Sequence, residues 1–207
     1  MSRQTAIATY RTVLALLVVI ALSYQYGLTR PTVPLNFFSY FTNLSNIIGA
    51  GVFLYCAVSR SRTLTIDLIR GAAFLYLTLT GVVYGILLSG EDLGSLQPWV
   101  NAVIHQIMPL AVVIDWLIDP PSNRLPLSKT LWWLAFPIVY VTYSLIRGAI
   151  INWYPYPFFN PAKAGGYGGV AAYSAGIAIF FILLVLAATW IGNRMNQRQA
   201  KRFVPAA

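Results

Sequence analysis

The chain has 207 residues, of which 58% are apolar and 9% charged, and its mean hydropathy is +0.67. A soluble domain carries about 25% charged residues, so this composition excludes a water-faced globule and makes lipid the solvent for most of the surface. The 14 Lys and Arg against 5 Asp and Glu give a net charge of +9, but the basic residues stand at the ends of apolar runs, which reads as membrane topology rather than nucleic-acid binding.

A single cysteine, Cys56, excludes an intrachain disulfide, and a single histidine argues against bis-histidine haem and multi-histidine metal sites. No metal or other cofactor is expected. A bilayer core about 30 Å thick needs roughly 20 helical residues. Six segments meet that length: 8–28, 35–58, 66–89, 98–117, 130–150 and 170–191. The expectation is an all-α, polytopic six-helix bundle forming one domain over 1–207, with short tails at 1–7 and 192–207. The sequence leaves its oligomeric state open.

In the first segment, Arg3 and Arg11 precede the apolar run and Ala21-Leu22-Ser23 faintly resembles a signal cleavage site. Retention is expected, because an uncleaved span orients consistently with the other loops. Arg3, Arg11, Arg60, Arg62, Arg70, Arg124, Lys129, Arg194, Arg198, Lys201 and Arg202 fall on one side, and Arg30, Arg147 and Lys163 on the other. Eleven against three puts both termini in the cytoplasm of a cell (cytoplasmic) membrane, with 194–202 set to meet anionic headgroups.

The second segment carries Ser39, Thr42, Asn43 and Asn46 at i, i+3, i+4 and i+7, a single face of a helix. Polar groups at membrane depth are costly, so such a face points into the bundle. The third opens with Asp67 and Arg70, expected at headgroup level, and contains the small-residue pair Gly81 and Gly85 around Tyr84. In the fourth, His105 has Asn101 one turn before it and Pro109 one turn after. Pro109 cannot donate to the His105 carbonyl, so a kink is expected there. Arg147 stands near the end of the fifth, followed by the aromatic, proline-rich run 152–161, a candidate interfacial belt or lid. Ala172 and Gly176 repeat the small-residue spacing in the sixth.

Thr42 and His105 each lie about seven residues from the same side of the membrane, roughly 10 Å deep at 1.5 Å per residue. A hydroxyl beside an imidazole suits acyl transfer, the His taking the Thr proton and returning it to the leaving alcohol. Asn43, Asn46 and Gln106 are candidate oxyanion donors, and Asn101 is placed to orient the imidazole. Ser39, Tyr84, Trp153 and Tyr156 are candidate substrate contacts, and Arg147 a clamp for an acidic lipid. Two other readings use the same residues: a transporter or channel with His105 relaying protons, and a non-enzymatic membrane scaffold.

The stretch Tyr40-Phe41-Thr42-Asn43-Leu44-Ser45-Asn46, the run from His105 to Pro109 ending at Asp115-Trp116, and Trp153 to Phe158 resemble, as a set, the six-span family of the androgen-induced protein and the androgen-dependent TFPI-regulating protein. Bacterial six-span relatives with a similar Tyr-Phe-Thr and His…Pro pattern look closer still, while the animal motif spaces its His and Pro slightly differently. The resemblance implies an intramembrane hydrolase of fatty acid esters of hydroxy fatty acids, with Thr42 and His105 as the catalytic pair and a membrane lipid ester as partner and substrate.

Overall fold

A computed structural model describes residues 1–30, 33–59 and 61–202, with the side chains of 199–202 left out. Arg60 and the side chains of Lys201 and Arg202 therefore lie outside the described residues. Helix α1 spans Arg3–Thr29, opened by Ser2, whose Oγ accepts the Thr5 amide at 3.1 Å. Arg30 closes it in the left-handed region, at φ 36°. A short α2, Pro34–Phe38, begins on its proline, and α3 spans Phe41–Val58. α4, Leu64–Val83, is capped by Thr63 and runs on through a π turn, Tyr84–Leu88.

α5, Pro98–Ala102, passes through a second π turn, Val103–Ile107, into α6, Met108–Ile118. α7, Leu127–Thr130, leads by a 3-10 turn into α8, Ala135–Ile151. A 3-10 turn at Pro157–Phe159 precedes α9, Tyr167–Arg202, so the expected tail from 192 continues the last helix as far as Arg202. No strand occurs among the described residues. Among the described residues, six helical stretches are long and apolar enough to cross a membrane: Arg3–Thr29, Phe41–Val58, Leu64–Leu88, Pro98–Ile118, Leu127–Ile151 and Tyr167–Arg198.

The second span differs from the expected 35–58. Tyr40 is extended, at φ −81° and ψ 126°, and splits the segment into α2 and α3. Ser39 therefore caps α2 and does not share the face of Thr42, Asn43 and Asn46.

Ala15, Val18, Ala21 and Leu22 of α1 are buried in an apolar cluster with Ala50 and Phe53 of α3, Leu77 of α4, and Met108, Ala111 and Val112 of α6. A second cluster joins Phe41, Tyr76, Trp116, Trp133 and Tyr140 to Phe158, Phe159 and Phe181. Residues such as Val139, Ile146, Ile179 and Leu183 leave the outer faces of α8 and α9 apolar and exposed, as lipid-facing helices require. The small-residue spacings are used unequally. A Cβ on Gly81 would lie 2.7 Å from Pro109 Cβ, so α4 meets the proline only because that side chain is missing. Gly85 and Gly176 have open space around them.

The ionic residues form a cluster that the sequence did not announce. Asp67 and Arg70, in the first turns of α4, are buried within the protein, and Arg11 and Asp115 are buried with them. Arg11 binds Asp115 at 2.7 Å and Asp119 at 2.6 Å, and Arg70 binds Asp115 at 2.9 Å. Arg62 reaches Asp119 from the rim at 2.7 Å. Pairing explains the burial, since a lone charge there would be far costlier than one held by opposite charges and hydrogen bonds. Burial would raise the Asp119 carboxyl, but Arg62, Arg70 and Arg11 together hold it below its ordinary value.

Candidate functional site

Thr42 is the second residue of α3, where the helix has amides without intrahelical partners. Tyrosines from the following chain take two of them. Tyr140 accepts the Phe41 amide at 3.1 Å and donates to the Ser39 carbonyl at 2.8 Å. Tyr156 accepts the Thr42 amide, also at 3.1 Å. The start of α3 is thus tied to α8 and to the 152–160 segment, which fixes the direction of the Thr42 side chain.

His105 comes from the π turn before Pro109. The expected kink takes the form of an i→i+5 bond, with Met108 donating to the Val103 carbonyl. Such a turn re-aims side chains within a helix and recurs at functional sites. Tyr84, from the other π turn, stacks on the imidazole with ring centroids 4.2 Å apart.

The buried Thr42 and His105 side chains meet, with Oγ1 3.2 Å from Nε2. Their hydrogen-bond neighbours fix the proton positions. Asn101 donates through Nδ2 to the Tyr84 hydroxyl at 2.7 Å, so its Oδ1, 2.6 Å from His105 Nδ1, is an acceptor. Nδ1 therefore carries the proton, and Nε2 presents its lone pair to the Thr42 hydroxyl. The Tyr156 hydroxyl lies 3.2 Å from the same Thr42 oxygen. Burial pushes this phenol up to about 12 and keeps it protonated, and with the Thr42 proton directed at Nε2 it is the Tyr156 hydroxyl that is left to donate to Oγ1. The chain of donors runs from Tyr156 to Thr42 to His105, with Asn101 behind the imidazole.

Asn46 spends its amide on the Thr42 carbonyl, at 2.9 Å, and the Ile104 carbonyl, at 3.0 Å. It joins α3 to the π turn and is a positioning residue rather than an oxyanion donor. Asn43 donates to the Phe37 carbonyl at 2.8 Å and lines the cleft described below. Gln106 is exposed at the bundle surface, because consecutive helical residues point about 100° apart, which removes it from the site. Ser39 bonds the Leu35 carbonyl and Tyr143, away from the cleft. Arg147 binds Asn36 Oδ1 at 2.5 Å and lies 5.0 Å over the Trp153 ring, holding the cleft wall without lining it.

Thr42 and His105 lie in a cleft of about 550 Å³. Its walls include Leu22, Phe37, Tyr40, Trp153 and Tyr156, and its mouth carries Glu91, Asp92, Asn160 and Lys163. The aromatic run folds onto the bundle: Tyr156, Phe158 and Phe159 are buried, and Trp153 and Tyr156 each meet Tyr40 at 5.8 Å. Sequence reasoning missed Tyr140, and it missed Gln25, which clamps the 89–97 loop through the Ser95 carbonyl and the Gln97 amide. A glutamine inside an apolar span was the available signal for the second; nothing distinguished Tyr140 from the other tyrosines.

Fold and site together define a multi-pass α-helical membrane protein with a polar side-chain network at the base of a partly apolar cleft. Compared with protein families, curated proteins and solved structures, the chain matches none.

Proposed function

We propose that the protein is an intramembrane hydrolase of lipid esters, with Thr42 as nucleophile and His105 as general base. The observation that carries this reading is the 3.2 Å approach of Thr42 Oγ1 to a His105 Nε2 whose other nitrogen is held by Asn101. A nucleophile, a base and a group orienting the base make up the arrangement that activates a hydroxyl.

The Thr42 oxygen attacks the ester carbonyl carbon as its proton passes to His105 Nε2. The tetrahedral oxyanion forms beside the N-terminus of α3, where the helix dipole and the Asn43 side chain favour negative charge. Nε2 then protonates the departing alcohol, leaving an acyl ester on Thr42. A water that loses its proton to His105 cleaves that ester, releasing the carboxylic acid and restoring the hydroxyl. Tyr156 holds the Thr42 oxygen and amide in place through both steps.

A cleft with apolar walls and a charged mouth suits an amphiphile with its ester held at the base. The resemblance drawn from the sequence makes fatty acid esters of hydroxy fatty acids the first substrate class to offer. The excess of Lys and Arg at the ends bearing 1–11, 59–63, 119–129 and 194–202 supports cytoplasmic termini in a cell membrane. Beneath the cleft, Leu77, Met108 and Phe53 pack in an apolar cluster, which favours a closed reaction site over a polar solute path.

Covalent chemistry at Thr42 is tested with a long-chain fluorophosphonate on the detergent-purified protein, the adduct being located by peptide mass spectrometry. The expected result is one adduct on Thr42 that His105→Ala abolishes. Labelling elsewhere, or none, overturns the covalent route.

A further inference from the structure

At the end of the bundle opposite the cleft lies a second cavity, of about 300 Å³, between the start of α1, the end of α3 and the start of α4. It is polar. Arg3, Arg11, Arg62 and Arg70 line it against Asp67 and Asp119, a formal excess of two positive charges, four less two. Asp115 behind them reduces the excess to one. The first turns of α1 and α4 both contribute to the lining, through Ser2 to Thr5 and through Ile66, so two long helices bring their positive ends to the same space.

The ion pairs do not use all of this charge. Arg70 is 5% exposed, and among the described residues its Nε has no hydrogen-bond partner. Asp67 Oδ1, also buried, accepts no hydrogen bond among those residues and meets Arg70 Nη1 only at 3.8 Å, while its Oδ2 accepts from the Asn123 amide and side chain at 2.9 Å. Arg62 gives its guanidinium one partner, Asp119 Oδ1, and its side chain is 45% exposed at the rim. A guanidinium with a buried nitrogen that has no hydrogen-bond partner, on a residue lining a cavity with positive excess, suits a charged acceptor. The Asp67 oxygen, paired with Arg70 only at 3.8 Å and accepting no hydrogen bond, suits a hydroxyl or ammonium donor on the same ligand.

We propose that this cavity binds a phosphate ester with a neighbouring hydroxyl or ammonium group. The phosphate would be held by Arg62, Arg3 and the Arg70 Nε, and the donor by Asp67. Phosphoglycerol and phosphoethanolamine carry this chemistry, either as phospholipid headgroups at the membrane surface or as free phosphate esters. The inference is independent of any chemistry at Thr42.

The test is native mass spectrometry of the full chain, in detergent micelles doped with phosphatidylglycerol, phosphatidylethanolamine or phosphatidylcholine, and separately with glycerol phosphate or inorganic phosphate. Arg3→Gln and Arg62→Gln are combined in one variant, because both stand at the rim and leave the buried Arg11–Asp115–Arg70 pairs intact. The expected result is retention of one phosphatidylglycerol or phosphatidylethanolamine about tenfold more strongly than phosphatidylcholine, with that preference lost in a variant that keeps the wild-type helical circular dichroism and monodisperse elution. Arg198→Gln, in the basic segment of α9, should keep the preference. Competition by glycerol phosphate at low millimolar concentration, without selective lipid retention, supports the phosphate site and assigns it to a soluble ester. Absence of any preference in the wild type, or a preference that the Arg3/Arg62 variant retains, overturns the proposal.

Discussion

At the scale of single residues, His105 has both ring nitrogens committed, Nδ1 to Asn101 and Nε2 to Thr42. Replacing Asn101 by Leu removes the acceptor that selects the tautomer, and the ring loses its preference for presenting a lone pair to the hydroxyl. General-base catalysis contributes about 10²–10⁴ in rate, so a fall in kcat of roughly tenfold to a hundredfold is expected, with KM little changed. An unchanged kcat in a folded Asn101→Leu protein would refute the orienting role. Tyr156→Phe leaves the buried Thr42 amide without its acceptor, which costs about 1–3 kcal/mol and is read as a lower melting temperature in detergent. Thr42, His105 and Asn101 stood out in the sequence as candidates because Asn101 sits one turn from His105 and polar side chains are conspicuous in apolar spans. Tyr140 and Tyr156 act on residues 99 and 114 positions away, a relation that local spacing does not encode. Gln106 misled for the opposite reason: adjacency in sequence put it beside His105 while helix geometry turned it outward.

At the scale of elements, two π turns and one proline shape the site. Pro109 removes a backbone donor from the fourth span, and the helix answers with the wider turn that carries His105. The sequence signalled a break there but not its form, since a kink and a π turn both satisfy a missing donor. Gly81 allows α4 to close on that proline. A Gly81→Ala methyl would meet Pro109 Cβ at 2.7 Å, against a ring that cannot swing aside. The expected cost is about 1–3 kcal/mol, seen as a reduced melting temperature. Gly85→Ala, with open space around it, should stay within about 0.5 kcal/mol of wild type. Equal effects at the two glycines would contradict this account of the α4–α6 contact. The second span shows how local chemistry hid a boundary: residues 35–58 are apolar enough to read as one helix, and only the extended Tyr40, followed by the tyrosine-bound amides of Phe41 and Thr42, divides it.

At the scale of the whole molecule, polar chemistry occupies both ends of the bundle with an apolar layer between them. The spans were legible because length and hydropathy are properties of a contiguous segment. The buried ionic cluster was not, because Arg11 and Asp115 are 104 residues apart and only the fold brings them together. That cluster gives the protein an acid sensitivity. Asp119 has a folded-state value below its ordinary 3.8, so its contribution to stability is present above the unfolded value and is lost as pH falls through the folded one. Thermal stability should therefore drop below about pH 4, and Asp119→Asn should flatten that drop. At neutral pH the same substitution should destabilise by about 3–5 kcal/mol, because it leaves buried guanidinium groups short of a partner. A melting temperature that does not change with pH below 4 in the wild type would contradict the role given to Asp119.

The most direct test of the Thr42–His105 chemistry is ester hydrolysis by the purified protein. A branched fatty acid ester of a hydroxy fatty acid is offered beside simple lipid esters, with Thr42→Ala and His105→Ala compared at matched folding. Turnover by the wild type that falls to background in both variants is the result the account predicts. No turnover on any ester, or turnover that survives either substitution, would contradict it.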